Sequence, residues 1–167
     1  MKRKIFIIII SICAVLWLAF IFSNSMDNGT ASTEKSSTVT EIVNTVAHAL
    51  GYDGEISHKF IRKGAHFTEF FVLSLLLSSD LTVIFCPYLG KRFPLFTLVI
   101  SSAVPLSALC ACADECIQIF SDGRAAQLTD VLIDSSGALC GCALFTLSLL
   151  LFSLLSKKSL KNQHFKG

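Results

Sequence analysis

Three short polar segments lie within otherwise apolar stretches of the chain, at residues 62–69, 114–118 and 130–134. Ionisable groups are costly at membrane depth, and they are kept there where they pair, face water or carry function. The candidate catalytic residues are His66, Glu69, Asp114 and Glu115. The candidate binding residues are Arg62, Lys63, Gln118, Arg124, Asp130 and Asp134. Such groups could support proton transfer, cation binding or recognition of a charged ligand.

The composition is that of a polytopic membrane protein built from α-helices. Of the 167 residues, 53% are hydrophobic and 16% are charged, whereas soluble domains are nearer a quarter charged. No basic stripe with interleaved aromatic residues is present, so no nucleic-acid partner is expected. No cofactor is expected either. The seven cysteines are expected to act as small residues that pack between membrane helices. The alternative is a disulfide between Cys110 and Cys140.

Apolar runs predict four transmembrane helices in a single domain that covers residues 1–156. The predicted spans are residues 5–22, 66–86, 95–120 and 130–155. The second is expected to end before Pro87, and Pro105 is expected to kink the third. Residues 157–167 form a basic tail.

The connection between the first two spans is predicted to contain a polar loop and then a short helix. Residues 23–34 read as the loop. Thr38 and Glu41 resemble a capping box that starts an amphipathic helix, and Gly51 is a plausible stop. This helix could lie on the membrane surface or pack against the bundle.

Positive charge predicts the orientation, because cytoplasmic segments carry the excess of Lys and Arg. With the amino terminus inside, the inner segments hold Lys2, Arg3, Lys4, Lys91, Arg92, Lys157, Lys158, Lys161 and Lys166. The outer segments hold Lys35, Lys59, Arg62, Lys63 and Arg124. Both termini are therefore expected in the cytoplasm. Asp80 then lies near the inner interface, or else its helix ends near Ser79.

In this topology the three polar segments meet at the outer membrane face. Arg62, His66 and Glu69 share one face of their helix. Asp114 and Gln118 lie four residues apart, on one face of the next helix.

The fourth span carries its acidic residues on the same stripe as two glycines. Asp130, Asp134, Gly137 and Gly141 recur every three or four residues, and the two glycines form a GxxxG motif that permits close approach of another helix. The acidic face is therefore expected to point into the bundle. A tight turn before this span can aim Arg124 back over the acids.

The carboxylates of this cluster outnumber its fixed cations, which favours a ligand or reaction site. The alternative is that pairs of Arg and carboxylate groups hold the helices together. His66 and Glu69 could help to hold a divalent cation, but with one well-placed histidine no metal site is predicted. His48, His58 and His164 are expected to be solvated.

These residues resemble the recurring pattern of the VanZ-like family of small bacterial membrane proteins. The matching motifs are R-K-x-x-H-F-x-E at 62–69, D-E-x-x-Q-x-F at 114–120, G-R at 123–124 and D-x-x-x-D-x-x-G at 130–137. The resemblance covers residues 22–141. The chain departs from it at Ser23-Asn24-Ser25, where the family often has Ser-x-Gln, and at Phe70, where Tyr is frequent. This member is therefore expected to lack that amide and that hydroxyl.

The resemblance implies a multi-pass protein of the bacterial cytoplasmic membrane. The family is named after a protein that confers low-level teicoplanin resistance, which implies a role near cell-wall precursors. Its polar site would bind or modify an envelope component, such as a lipid-linked cell-wall precursor, and lower susceptibility to teicoplanin-type glycopeptides. In an enzymatic version Asp114 or Glu115 is a general base, while Arg62 and Arg124 hold a phosphate or carboxylate. A structural protein or a small transporter remains the alternative, and homo-oligomerisation stays open.

Overall fold

The structure is a computed structural model that describes residues 2–27, 29–89, 93–121, 123 and 125–164. Its helices are α1 (Lys2–Ser25), α2 (Gly29–Ala49), α3 (His58–Leu89), α4 (Phe93–Ser101), α5 (Ala103–Ile119) and α6 (Leu128–His164). Four stretches are long and apolar enough to cross a membrane: Lys2–Ser25, His58–Tyr88, Thr97–Ile119 and Leu128–Ser156. The predicted all-α class with four membrane-spanning helices is therefore confirmed.

The prediction that the second span ends before Pro87 is wrong, because α3 continues through this residue to Leu89. Proline cannot donate a hydrogen bond to the carbonyl four residues earlier, which here belongs to Val83. The Arg3 side chain supplies the missing donor, with its Nε 3.1 Å from the Val83 oxygen. A second guanidinium nitrogen lies 3.0 Å from the Ile84 oxygen. The Arg3 contact from α1 thus supplies a donor to the carbonyl that Pro87 leaves without one.

Asp80 lies inside α3, so the alternative that this helix ends near Ser79 is excluded. The carboxylate is half-buried and accepts hydrogen bonds from the Ser11 hydroxyl at 3.0 and 2.9 Å. The pairing joins α1 to α3 near the end of the bundle that also holds Arg3.

The polar segment after α1 is largely helical, which corrects the predicted loop at residues 23–34. Serine and threonine hydroxyls along α2 bond to carbonyls of the preceding helical turn, as Ser36 does to Ser32 and Thr40 does to Ser36 at 2.7 Å. These bonds satisfy the polar side chains without leaving the helix. Lys35 also pairs with Asp27 at 2.6 Å.

The end of α2 lies where the sequence predicts it, whereas its start lies earlier than predicted. Thr38 lies in the middle of the helix, so the predicted capping box is wrong. Gly51 follows the last helical residue with φ +86°, a conformation that glycine adopts without a steric cost. The next helix, α3, begins after Ser57, whose hydroxyl accepts a hydrogen bond from the Phe60 amide at 3.3 Å.

The third span is divided into α4 and α5, with the break at Ser102. Pro105 leaves the Ser101 carbonyl without its usual helical donor. The Ser102 hydroxyl turns back to the Val99 carbonyl at 2.6 Å. The helix is thus interrupted three residues before Pro105, and the kink itself stays a prediction.

The contact between α3 and α6 is the most extensive in the bundle. The backbone of Phe67 faces Gly137, and that of Phe71 faces Gly141. Because both pairs advance by four residues together, the two helices run parallel. A Cβ added at Gly137 would lie 3.0 Å from the Phe67 carbonyl carbon and nearer still to its oxygen. The close approach predicted from the GxxxG motif is confirmed.

A small apolar core fills the space between α1, α3 and α5. Its fully buried members are Ile21, Phe70, Leu73 and Ala111. Phe70, at the position where the family often has Tyr, is completely buried among these side chains. An apolar ring suits this position, since a hydroxyl there would need its own partner.

We expect Gly137→Ala to lower the stability of the protein by about 1–3 kcal/mol, because the added methyl meets backbone rather than a flexible side chain. Gly64→Ala is the matched control. A Cβ there meets nothing within 4 Å, and the change from glycine should be neutral or stabilising in a helix. Thermal unfolding in detergent, followed by Trp17 fluorescence, measures both. Equal Tm values for the two variants would contradict the close packing.

Candidate functional site

The polar residues meet where α1 and α5 end and where α3 and α6 begin, which we call the polar end of the bundle. The buried polar side chains there are Ser25, His66, Asp114, Glu115, Gln118, Asp130 and Asp134. They come from four helices that are separated in sequence. The convergence that the topology predicts is therefore present in the structure.

Asp130 in the first turn of α6 pairs with two cations of α3. Lys63 Nζ lies 2.9 Å from one carboxylate oxygen, and an Arg62 guanidinium nitrogen lies 3.7 Å from the other. The Asp130 side chain is 5% exposed, while those of Lys63 and Arg62 are 41% and 36% exposed. The cations therefore connect a buried acid to the solvent at the polar end.

His66 lies one turn deeper, between two further carboxylates. Its Nδ1 is 3.9 Å from Glu69 and 4.0 Å from Asp134. Glu69 also accepts a hydrogen bond from the Asn24 amide at 3.1 Å, and its backbone carbonyl accepts one from the Trp17 indole at 2.9 Å. Residue 25 is serine, so the glutamine amide of the Ser-x-Gln pattern is absent, but the neighbouring Asn24 supplies an amide to Glu69.

The two adjacent acids at the end of α5 have different partners. The Gln118 side-chain amide donates to Asp114 at 2.9 Å, as their spacing of four residues predicts. Glu115 points elsewhere and accepts a hydrogen bond from the backbone amide of Gln127 at 2.7 Å. Glu115 thus fixes the residue that precedes α6.

Several carboxylate oxygens at this depth have no hydrogen-bond partner in the part of the chain that the structure describes. They are one oxygen each of Asp114 and Glu115 and both oxygens of Asp134. Asp114 and Asp134 are completely buried. One potential ligand atom each from His66, Asp114 and Asp134 lies within 4.8 Å of the others. These three residues form what we call the deep triad.

A cavity of about 520 Å³ opens above the triad, between α2, α3 and the start of α6. We call it the basic cavity. It is lined by Ser32, Thr33, Ser36, His58, Lys59, Arg62, Lys63, Gln127 and Asp130. A second cavity of about 230 Å³ shares Ser32, Ser36 and Arg62 with it and reaches His66. The two cavities lead from the polar end toward the deep triad.

Most residues predicted for the site are brought together, and a few are not placed there. Arg124 lies outside the described residues, as does the side chain of His164. His48 is exposed, as expected, whereas His58 is half-buried and lines the basic cavity. The seven cysteines are free, which excludes the bridge considered between Cys110 and Cys140.

Sequence reasoning missed several residues that contribute to the site, including Ser32, Thr33, Ser36 and His58 in the cavity lining. Lys59 could have been found, because it lies four residues before Lys63 and shares its helical face. Asn24, Trp17 and Gln127 act through contacts between distant segments, and no local pattern marks them.

The sequence matches a family model described as VanZ/LLP1 over residues 9–152. Neither the curated proteins nor the solved structures gave a match. The family match includes all the polar residues described above and most of the four spans. The resemblance seen in the motifs is thus confirmed, and the chain belongs to the VanZ/LLP1 family.

Proposed function

We propose that this protein binds an anionic, lipid-linked component of the bacterial cell envelope in the basic cavity, and that it thereby lowers susceptibility to teicoplanin-type glycopeptides. The distribution of Lys and Arg favours cytoplasmic termini, so the polar end would face the outside of the cytoplasmic membrane. The observation that carries the proposal is the charge of the cavity lining.

Three fixed cations line the basic cavity, namely Lys59, Arg62 and Lys63, against the single carboxylate of Asp130. Asp130 already contacts two of them, so the lining keeps an excess of positive charge. Arg and Lys bind phosphate through charge-assisted hydrogen bonds. A phosphate or carboxylate group therefore suits this cavity better than a neutral or cationic one.

The opposite wall of the cavity supplies neutral hydrogen-bonding groups. Ser32, Thr33 and Ser36 lie there on α2. Their hydroxyl oxygens could accept hydrogen bonds from the hydroxyl groups of a sugar, since a hydroxyl that already donates can still act as an acceptor. The volume of about 520 Å³ is within the usual range for small-molecule sites.

A lipid-linked ligand would also need contact with the apolar part of the bundle. Val39, Ile61 and Ala65 line the neighbouring second cavity, and this cavity connects to the basic cavity through shared residues. An anionic headgroup could thus lie among the cations while the first carbons of its chain contact apolar side chains. Teicoplanin carries an acyl chain, so a protein acting where membrane meets cell wall could affect it selectively.

Modification of the ligand would use the acids beneath the cavity. Asp114 and Glu115 each keep one oxygen without a hydrogen-bond partner among the described residues, which supports either as a general base. Glu115 also accepts from the amide of Gln127, a residue of the cavity wall.

Polyprenyl phosphate should raise the Tm of the purified protein, whereas the uncharged polyprenol should not. Lys59→Met should raise the lipid concentration needed for the same change in Tm by at least about tenfold, because one charge-assisted contact is worth about 1.5–3 kcal/mol. Lys59→Arg, which keeps the charge, should retain it. The Lys59 side chain is exposed, so neither change should disturb folding. Equal responses to both lipids would contradict anion recognition.

In a Gram-positive host, the protein should lower susceptibility to teicoplanin more than to vancomycin. His66→Ala and Glu115→Gln should abolish the protection while both variants accumulate normally in the membrane, as measured by immunoblot. Asp53→Asn, in the exposed connection between α2 and α3, is the matched control and should protect fully. If both site variants protect, the polar cluster serves to hold the helices together. If the wild type does not protect, the resistance role is refuted.

A further inference from the structure

We propose that the deep triad, His66 with Asp114 and Asp134, is a binding site for one divalent transition-metal cation such as Mn²⁺ or Zn²⁺. The site lies beneath the basic cavity. It does not depend on the proposed anion binding, since a metal can be measured in detergent without any lipid ligand.

The geometry of the triad is close to that of a coordination sphere. Nitrogen and oxygen ligands lie about 2.0–2.2 Å from a tetrahedral Zn²⁺, so two ligands of one ion are about 3.3–3.6 Å apart. The three ligand atoms of the triad lie within 4.8 Å of one another. Side-chain shifts of up to about 1 Å would therefore bring them to coordination distance. The residues come from α3, α5 and α6, so one ion would join three helices.

Asp134 is the residue that most strongly indicates a ligand. Its side chain is 0% exposed, and neither of its oxygens has a hydrogen-bond partner in the described part of the chain. Its nearest ion-pair contact is His66 Nδ1, at 4.0 Å. A buried polar atom without a partner is costly. A cation between Asp134 and its neighbours would supply the missing interaction.

The surrounding charge favours a cation as well. Four further carboxylates act electrostatically on Asp134, those of Glu69, Asp114, Glu115 and Asp130. The Lys63 and Arg62 side chains are directed to Asp130, nearer the surface. Among the described residues, no Lys or Arg forms an ion pair with Asp114 or Asp134. The deep acids thus repel one another, and a divalent ion would relieve that repulsion.

The ligand set indicates the class of metal. One imidazole with two carboxylates is a mixed nitrogen and oxygen set, which suits Mn²⁺, Fe²⁺ or Zn²⁺. The sequence predicted no metal because a single histidine was well placed. The structure shows that the carboxylates expected opposite this histidine are those of Asp114 and Asp134.

The test is metal binding by the full chain, purified in detergent and stripped with a chelator. After addition of Mn²⁺ or Zn²⁺ and removal of the excess, we expect about one ion per chain by elemental analysis. Asp134→Asn keeps the shape of the side chain and should weaken metal affinity at least about tenfold. The control is Asp80→Asn, another aspartate within a span, bonded to Ser11 far from the triad; it should bind the metal like the wild type.

A measurement on the wild type alone guards against a variant that does not fold. Added metal should raise the Tm of the stripped protein, and the chelator should reverse the change. Co²⁺ should give a visible absorption band that His66→Ala alters. Less than about a tenth of an ion per chain with no change in Tm would overturn the proposal. Equal metal content in Asp134→Asn and wild type would overturn it too.

Discussion

The close approach of α3 and α6 is the constraint on which the rest of the structure depends. Gly137 and Gly141 allow the α6 backbone to lie against the carbonyls of Phe67 and Phe71. In a bilayer, helices associate through packing and polar contacts rather than by hydrophobic burial, so small residues decide where two backbones can touch. This contact fixes both the separation and the register of two parallel helices. The polar groups one or two turns before it are brought together as a result.

That register separates the charges by depth. Lys63 reaches Asp130 across the helix pair, with help from Arg62, close to the surface of the bundle. His66 and Asp134 meet about one turn further in, where Asp114 approaches from α5. Positive charge therefore dominates the cavity at the polar end, and negative charge dominates below it. A single helix contact produces a region suited to anions above a region suited to a cation.

Much of this arrangement could be predicted from local patterns. Apolar runs gave the four spans, and the spacing of His66, Glu69, Asp130 and Asp134 placed these residues on inward faces. The GxxxG motif indicated the close contact, and Pro105 indicated the break between α4 and α5. These features depend on residues within a few turns of one another, so periodicity and small-residue motifs are sufficient to find them.

Two of the errors have their physical origin in contacts between distant segments, and one is local. Pro87 ends a helix by local rules, but Arg3 from α1 supplies the hydrogen bond to the Val83 carbonyl that the proline removes. The local error concerns the polar residues that begin α2, which favour a loop but are helical, with the Ser36 hydroxyl bonded to the Ser32 carbonyl within the helix. Asn24 takes a role at Glu69 that its own surroundings in the sequence do not indicate. The meeting of the segments that carry His66, Asp114 and Asp134 was predicted, but which of the clustered acids lie nearest the histidine depends on how the helices pack.

The proposed role at the cell wall requires that the polar end face the outside of the cell, and labelling of single cysteines tests this most directly. In a background without the native cysteines, Asp53→Cys marks the connection between α2 and α3, and Lys4→Cys marks the start of α1. A membrane-impermeant maleimide should label Asp53→Cys in intact cells. It should label Lys4→Cys only after the cells are permeabilised. The reverse pattern would place the basic cavity in the cytoplasm and contradict a role at the cell wall.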